Sequence, residues 1–287
     1  MLWENLREEE FEEAVKQSGK VCVIPIGCAE KHGQHLPVGT DTQTCYAIAR
    51  AAAEIEPVVV FPPLYFGDIQ GHTVWRGGIM LSAELLLKLL SEICEEVARN
   101  GFKKILFLNG HGGNNTLLKY VERNSLHTAK DYVVFYRNDY VYQVEHLVRD
   151  LDAGEEFPEL TEEDKANLRE FVYGEKKTGH GCINETSILL AINPDSCDMS
   201  RADVESGLSV HRSDYLWHTG IPGGSSRFWG LDHPNSYDGE CVTLASANIG
   251  RVLIRKRAEL QAEACRLLKM DDRILEWNEE WIRRSQW

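Results

Sequence analysis

Apolar positions in this chain follow two spacings. Short β-branched runs end at turn residues: Lys20 to Ile26 (KVCVIPI) before Gly27, Pro57 to Phe61, Lys104 to Leu108 (KILFL) before Asn109-Gly110, and Asp131 to Arg137. Runs of this length read as strands. Between and after them, apolar residues recur every three to four positions in Glu4 to Gln17, Asp41 to Ile55, Ser82 to Asn100, Asn114 to Asn124, Thr186 to Ile192 and Ala247 to Lys269. That period predicts helices. Thr40 or Asp41 stands in an N-cap position, Ser82 in another, and Asn100-Gly101 forms a stop.

Strands alternating with helices predict an α/β fold, a largely parallel sheet covered by helices on both faces. No repeat and no Gly/Ser- or Pro-rich linker divides it, so residues 1–287 read as a single domain. Glu155 to Glu170 is acidic, with a helix start at Thr161, and reads as a solvated surface helix; a lid or subunit contact is the alternative. Trp277, Trp281 and Trp287 put an aromatic stripe on the tail, suited to packing or to an oligomer contact.

The charge balance narrows the function. Lys and Arg number 31 against 45 Asp and Glu, a net charge of −14, which excludes a generic nucleic-acid binder. No apolar run reaches the roughly 18 residues of a membrane span. The first residues (MLWENLREEEFEEAV) are acidic and amphipathic, unlike a secretory leader, so the cytoplasm is the expected compartment. Eight scattered cysteines without C-x-x-C spacing are expected to be free thiols.

Candidate chemistry gathers at three strand-to-helix or loop-to-helix junctions. The first holds Glu30, His32, His35 and Asp41; the second holds His111 within NGHGGNN; the third holds His180 and Glu185 within TGHGCINETS. In parallel α/β sheets such junctions converge beyond the carboxyl ends of the strands. Glu30 and His32 are two apart, so an extended backbone puts both on one side. With Asp41 and His111 they form a mixed carboxylate and imidazole set suited to Zn, Mn or Fe(II) rather than Ca or Mg. Asp41 can bridge two ions, and such a pair activates water and polarises a carbonyl. Gly110, Gly112 and Gly113 leave room for close backbone approach around His111.

Each residue also has a plainer role: Asp41 as a helix cap, His35 as a hydrogen-bonded structural residue, Glu185 as a favourable charge at a helix N-terminus. Their co-occurrence at three junctions favours a metal site. A phosphate cradle at Gly110 to Asn114 lacks both G-x-G-x-x-G spacing and the Walker lysine. Cys182 lies too near His180 in sequence for the usual nucleophile pair and reads as a wall residue or bystander.

The stretches GCAEKHGQHLPVGTD (Gly27 to Asp41), NGHGGN (Asn109 to Asn114) and HGCINETS (His180 to Ser187) resemble the signatures of the creatininase, or creatinine amidohydrolase, family. The resemblance covers about Val21 to Ala191. It implies a three-layer α/β/α fold, a homo-oligomer that is often a hexamer, and one or two divalent ions per chain used to hydrolyse cyclic amides or other non-peptide C–N bonds. By this resemblance Glu30, His32, Asp41 and His111 are metal ligands with Asp41 bridging, His180 is a proton shuttle, and Glu185 is metal-facing or a general base. The expected partner is a small-molecule substrate, with no nucleic acid and no membrane.

Departures from creatininase itself bear on substrate. Where that enzyme has His-Tyr-Glu, with the Glu on its second metal, this chain has His111, Gly112 and Gly113; water or Glu185 then completes the second ion, or one ion binds. The His-Gly-Gly-Asn form is similar to a branch that includes deformylases, a peptide peptidase and a hydrolase of oxidised inositols. The expected substrate is therefore a small cyclic amide, formamide or related carbonyl compound. The alternatives are an oxidised inositol, or a non-catalytic ligand-binding role. Trp75, Arg76, His72, Tyr65 and Trp229 are candidates to line the pocket, with Arg76 suiting an anionic or polyhydroxylated ligand.

Overall fold

In this computed structural model, residues 1–69, 73–217 and 226–285 are described. The elements run α1 (Phe11–Gln17), β1 (Val21–Ile26), α2 (Thr40–Ile55), β2 (Val59–Val60), α3 (Ala83–Arg99), β3 (Lys104–Asn109), α4 (Asn114–Asn124) and β4 (Val133–Asn138). There follow α5 (Val144–Asp152), α6 (Glu162–Tyr173), α7 (Ile183–Ile192), α8 (Asp214–Trp217), α9 (Ser226–Asp232), α10 (Ala247–Met270) and α11 (Arg273–Ser285). The strands form one parallel sheet in the order β2-β1-β3-β4, with Val21 paired to Lys104 and Lys104 to Val133.

The uninterrupted apolar character of β1 and β3 follows from burial on both faces. Cys22, Ile24, Ile26, Ile105 and Phe107 pack against Leu86 and Leu90 of α3 and Leu117, Leu118 and Val121 of α4. The alternate residues Val21, Val23, Leu106 and Leu108 pack against Cys45, Ile48 and Ala49 of α2 and Cys265 of α10. Ala52, Ala258 and Ala262 let α2 and α10 approach closely. Helices thus cover both faces of the sheet. A further apolar cluster joins α5, α6, α7 and α10 beside it, among them Leu147, Leu168, Phe171, Ile188 and Leu253.

Several sequence expectations are corrected by packing. Glu4 to Gln17 is not one helix: two 3-10 turns (Trp3–Asn5, Glu8–Glu10) precede α1, because Trp3 turns inward against Phe11, Phe61 and Phe102. The strand expected over Pro57 to Phe61 shrinks to Val59–Val60, and α5 was not foreseen. The acidic helix starts at its Thr161 cap as expected, yet Asp164, Leu168 and Phe171 are buried, so only one face is solvated. Helix α7 begins at Ile183, which places Glu185 inside its first turn. Neither Thr40 nor Asp41 caps α2; Gly39 stands at the N-cap and Asp41 points elsewhere. Trp277 and Trp281 are 57% and 40% exposed, while Trp287 lies outside the described residues. The described cysteines are all free, and no described helix is long and apolar enough to cross a membrane.

The strand order reverses between β1 and β3. Crevices at such a point bind ligands in open parallel sheets, and here Asp41 at the start of α2 and Gly110 to Gly113 after β3 line one cavity.

Candidate metal centre

Four segments supply the site. The extended chain after β1 carries Glu30 and His32, both fully buried; the first turn of α2 carries Asp41; and the loop after β3 carries His111. His180 precedes α7, and Glu185 sits in its first turn. Close approach needs Gly110, where a Cβ would lie 2.5 Å from the Asp41 carbonyl oxygen.

Asp41 joins two imidazoles. Its Oδ1 is 2.7 Å from His32 Nε2 and its Oδ2 is 2.9 Å from His111 Nδ1. Glu30 Oε1 is 2.9 Å from the same His111 Nδ1 and 3.6 Å from His180 Nδ1. Glu185 Oε2 accepts the Gly181 N–H at 2.6 Å and lies 3.8 Å from His32 Nε2. The His32 and His180 rings stack with centroids 4.0 Å apart. Three groups therefore have ligand atoms within 4.8 Å of one another: Cys28, Glu30, Asp41 and His111; Glu30, His32 and His180; and His32, Asp41 and Glu185.

The other nitrogen of each ring is fixed by the backbone. His32 Nδ1 donates to the Glu30 carbonyl at 3.1 Å, His111 Nε2 to the Asp68 carbonyl at 2.9 Å, and His180 Nε2 to the Lys31 carbonyl at 2.6 Å. A carbonyl oxygen only accepts, so in each neutral ring the opposite nitrogen turns its lone pair toward carboxylates. Lone pairs facing carboxylate oxygens repel unless a cation lies between them. A divalent ion meets that need, and the backbone anchors match the outer contacts that orient metal-ligating histidines. The donor set fits the implied ions.

Without ions, protons serve as the cations. Burial alone would lower the His32 pKa, but Asp41, Glu185 and Glu30 outweigh it and raise it to about 10; His111 is likewise driven well above its ordinary value by Glu30. Burial raises the carboxylates, yet His111 and His180 hold Glu30 down to about 2, and His32 and His111 hold Asp41 well below its usual range. Glu185 goes the other way: burial, with Asp41 and Glu30 adding to it, pushes it up to about 7.

Asp41, His111, His180 and Glu185 line a cavity of about 450 Å³, and Glu30 and His32 are not part of its lining. Of the residues expected to line it, Trp229 does, its ring edge-on to His180 with centroids 5.5 Å apart. Tyr65 and Trp75 are not part of the lining; Tyr65 is 42% exposed, and the Trp75 ring covers the Lys31 Nζ at 4.0 Å. Arg76 is exposed, and His72 lies outside the described residues. His35 is structural, its Nε2 3.0 Å from Thr186 Oγ1. Cys182 is a buried wall residue. Thr44, Asp139, Tyr140, Gln143 and Arg257 also line the cavity and were missed. Asp139 had a signal, a carboxylate just past a strand end; Arg257 had none, since it lies inside a regular amphipathic helix.

A family model described as creatininase, creatinine amidohydrolase, matches residues 4–265. The chain belongs to the creatininase family. Its relatives include the mycofactocin precursor peptide peptidase of Mycobacterium ulcerans, 36% identical over 34% of this chain and 42% of that protein, so the match spans less than half of that relative. Another is the creatinine amidohydrolase of Pseudomonas putida, 25% identical over 67% of this chain and 72% of the relative. A solved manganese form of creatininase superposes with a TM-score of 0.67 at 22% identity, over 92% of this chain and 97% of that one, and shares its fold; a zinc form is similar. Creatininase-family members are hydrolases, and these relatives include both an amidohydrolase and a peptidase.

Proposed function

We propose that this protein is a metal-dependent hydrolase that cleaves the C–N bond of a small carbonyl substrate, a cyclic amide or a formamide. The observation that carries the reading is the set of three histidines, each tied to a backbone carbonyl through one nitrogen and turned toward buried carboxylates through the other. Glu30, Asp41 and His111 would hold one ion, and His32, Asp41 and Glu185 a second, with Asp41 shared. Glu185 thereby supplies the carboxylate that Gly113 cannot. The mixed N and O donors suit Zn, Mn or Fe(II). Bound there, such ions supply Lewis acidity for water activation and carbonyl polarisation.

The chain's own residues do the rest. Glu185, through the carboxylate oxygen not given to an ion, accepts a proton from the attacking water. His180 lines the cavity beside the ligand cluster, its Nδ1 3.6 Å from Glu30 Oε1; as an imidazolium it gives the Nδ1 proton to the leaving nitrogen, and the proton taken from water by Glu185 restores it for the next turnover. Trp229 walls the same space and excludes water from it. A cavity of about 450 Å³ lies in the range of small-molecule sites.

Elemental mass spectrometry on protein purified without chelators tests the metal. Turnover is then screened with creatinine, cyclic ureides, formamides, an oxidised inositol and a short peptide. One or two transition ions per chain with C–N hydrolysis are expected. No metal, and no uptake when ions are added back, would overturn the hydrolase reading in favour of a ligand-binding protein.

A further inference from the structure

The cavity lining includes three polar side chains outside the carboxylate and histidine cluster. Asp139 follows β4, Thr44 lies one turn along α2 from Asp41, and Arg257 projects from the middle of α10; all three line the cavity. They are 3%, 3% and 2% exposed. Among the described residues, Asp139 Oδ2 and Thr44 Oγ1 have no hydrogen-bond partner. Arg257 is anchored through Nε, which donates to the Tyr142 carbonyl at 2.8 Å. Its Nη1 stands 3.8 Å from Asp139 Oδ1, beyond hydrogen-bond distance.

A buried Asp–Arg pair that served only the fold would close into a short, two-pronged contact, because an open pair forfeits the attraction that offsets desolvation. This pair stays open, and the unpartnered oxygens beside it belong to residues of the same lining. Buried polar atoms without partners are rare and call for a reason. Position supplies one: these residues share a single cavity lining with Asp41, His111, His180 and Glu185, so one ligand can reach both groups.

Resting on the hydrolase reading, we propose that Thr44, Asp139 and Arg257 form a substrate-recognition subsite for an uncharged group that both donates and accepts hydrogen bonds, such as a hydroxyl pair or a carboxamide. Asp139 and Thr44 accept from the group's N–H or O–H, and Arg257 donates to its oxygen. A carboxylate ligand would meet the Asp139 oxygens, and an ammonium would meet the guanidinium, so neither charge suits both sides. Burial, with Asp41 adding to it and Arg257 opposing it, pushes the Asp139 carboxyl up to about 7, so near neutral pH it can accept a hydrogen bond when ionised and donate one when protonated.

The test is calorimetric titration of the metal-loaded full-length protein with three probes: myo-inositol, succinamide and cyclohexanecarboxylate. Asp139→Asn, Thr44→Val and Arg257→Met are titrated alongside, with melting curves and metal content checked for each. Expected is binding of inositol or succinamide that weakens at least tenfold in Asp139→Asn and Thr44→Val at unchanged metal content. Which of the two binds separates a hydroxyl from an amide guest. Thr44→Val keeps side-chain shape, so the test survives if Asp139→Asn fails to fold. The proposal is overturned if neither neutral probe binds, if their binding ignores the substitutions, or if cyclohexanecarboxylate is the probe that depends most on Arg257. Failure of the hydrolase reading would appear separately, as absence of metal uptake.

Discussion

Replacing Asp41 by Asn isolates the charge of the residue on which the site turns. The side chain keeps its volume, so no cavity cost enters. What is lost is the anionic contact with both histidine-bearing sides: Oδ1 faces His32 at 2.7 Å and Oδ2 faces His111 at 2.9 Å. In the metal-loaded site the same two oxygens would face the ions, and at about 1.5–3 kcal/mol for a contact to a charged group, losing the anion at both costs about 3–6 kcal/mol of metal affinity. At about 1.4 kcal/mol per decade this is roughly a 10²- to 10⁴-fold weaker site. Competition titration against a chelator of known affinity, on wild type and variant at one pH, measures it. Both proteins are checked by circular dichroism. If Asp41→Asn held the same number of ions within about threefold of the wild-type affinity, the shared-carboxylate assignment would be wrong.

Other substitutions separate the remaining roles. His180→Ala should keep its metal and lose turnover by about 10²- to 10⁴-fold in kcat, the usual worth of a positioned proton donor; equal loss of metal would make His180 a ligand instead. Gly113→Ala should lose metal although it alters no donor atom, because its Cβ would sit 2.2 Å from the Asp68 carbonyl oxygen and 2.4 Å from His111 Nε2, breaking that ring's anchor. Unchanged metal content would show that the anchor is dispensable. Chelated protein should lose stability as pH rises. His32 at about 10 lies above its ordinary 6.5, so its contribution is complete below about 6.5 and is lost as pH climbs through about 10. Glu185, raised to about 7 from 4.5, acts in the same direction between those values. Glu30 at about 2 lies below its ordinary 4.5, so its contribution is complete above 4.5 and is lost as pH falls through about 2. Urea melts with and without chelator should show an alkaline decline from these groups that bound ions suppress, since ions take the place of the protons; apo stability rising from pH 7 to 10 would contradict the cluster's electrostatics.

The linear pattern determined the layered α/β fold and named most of the residues of the candidate site, for reasons that are local. Strands buried on both faces, such as Val21–Ile26 and Lys104–Asn109, must be apolar throughout, and the turns that follow them must be polar or glycine. Glu30 and His32 share a side through period two alone, and Ser82, standing just before a helical repeat, caps α3 by accepting the Leu85 N–H. Tertiary structure decided the rest. Whether Asp41 caps its helix or faces His32 and His111 depends on where β3 lands, and Trp3 turns inward only because Phe61 and Phe102 wait across the fold. Trp75 and Tyr65, aromatic and adjacent to glycines, looked like pocket walls but pack or project elsewhere. Arg257 and Asp139 are separated by more than a hundred residues and meet only because α10 crosses α2 at the end of the sheet. Periodicity reports which face of an element is buried; it carries no record of which distant element buries it, and the Asp139 and Arg257 part of the cavity lining is built from such encounters.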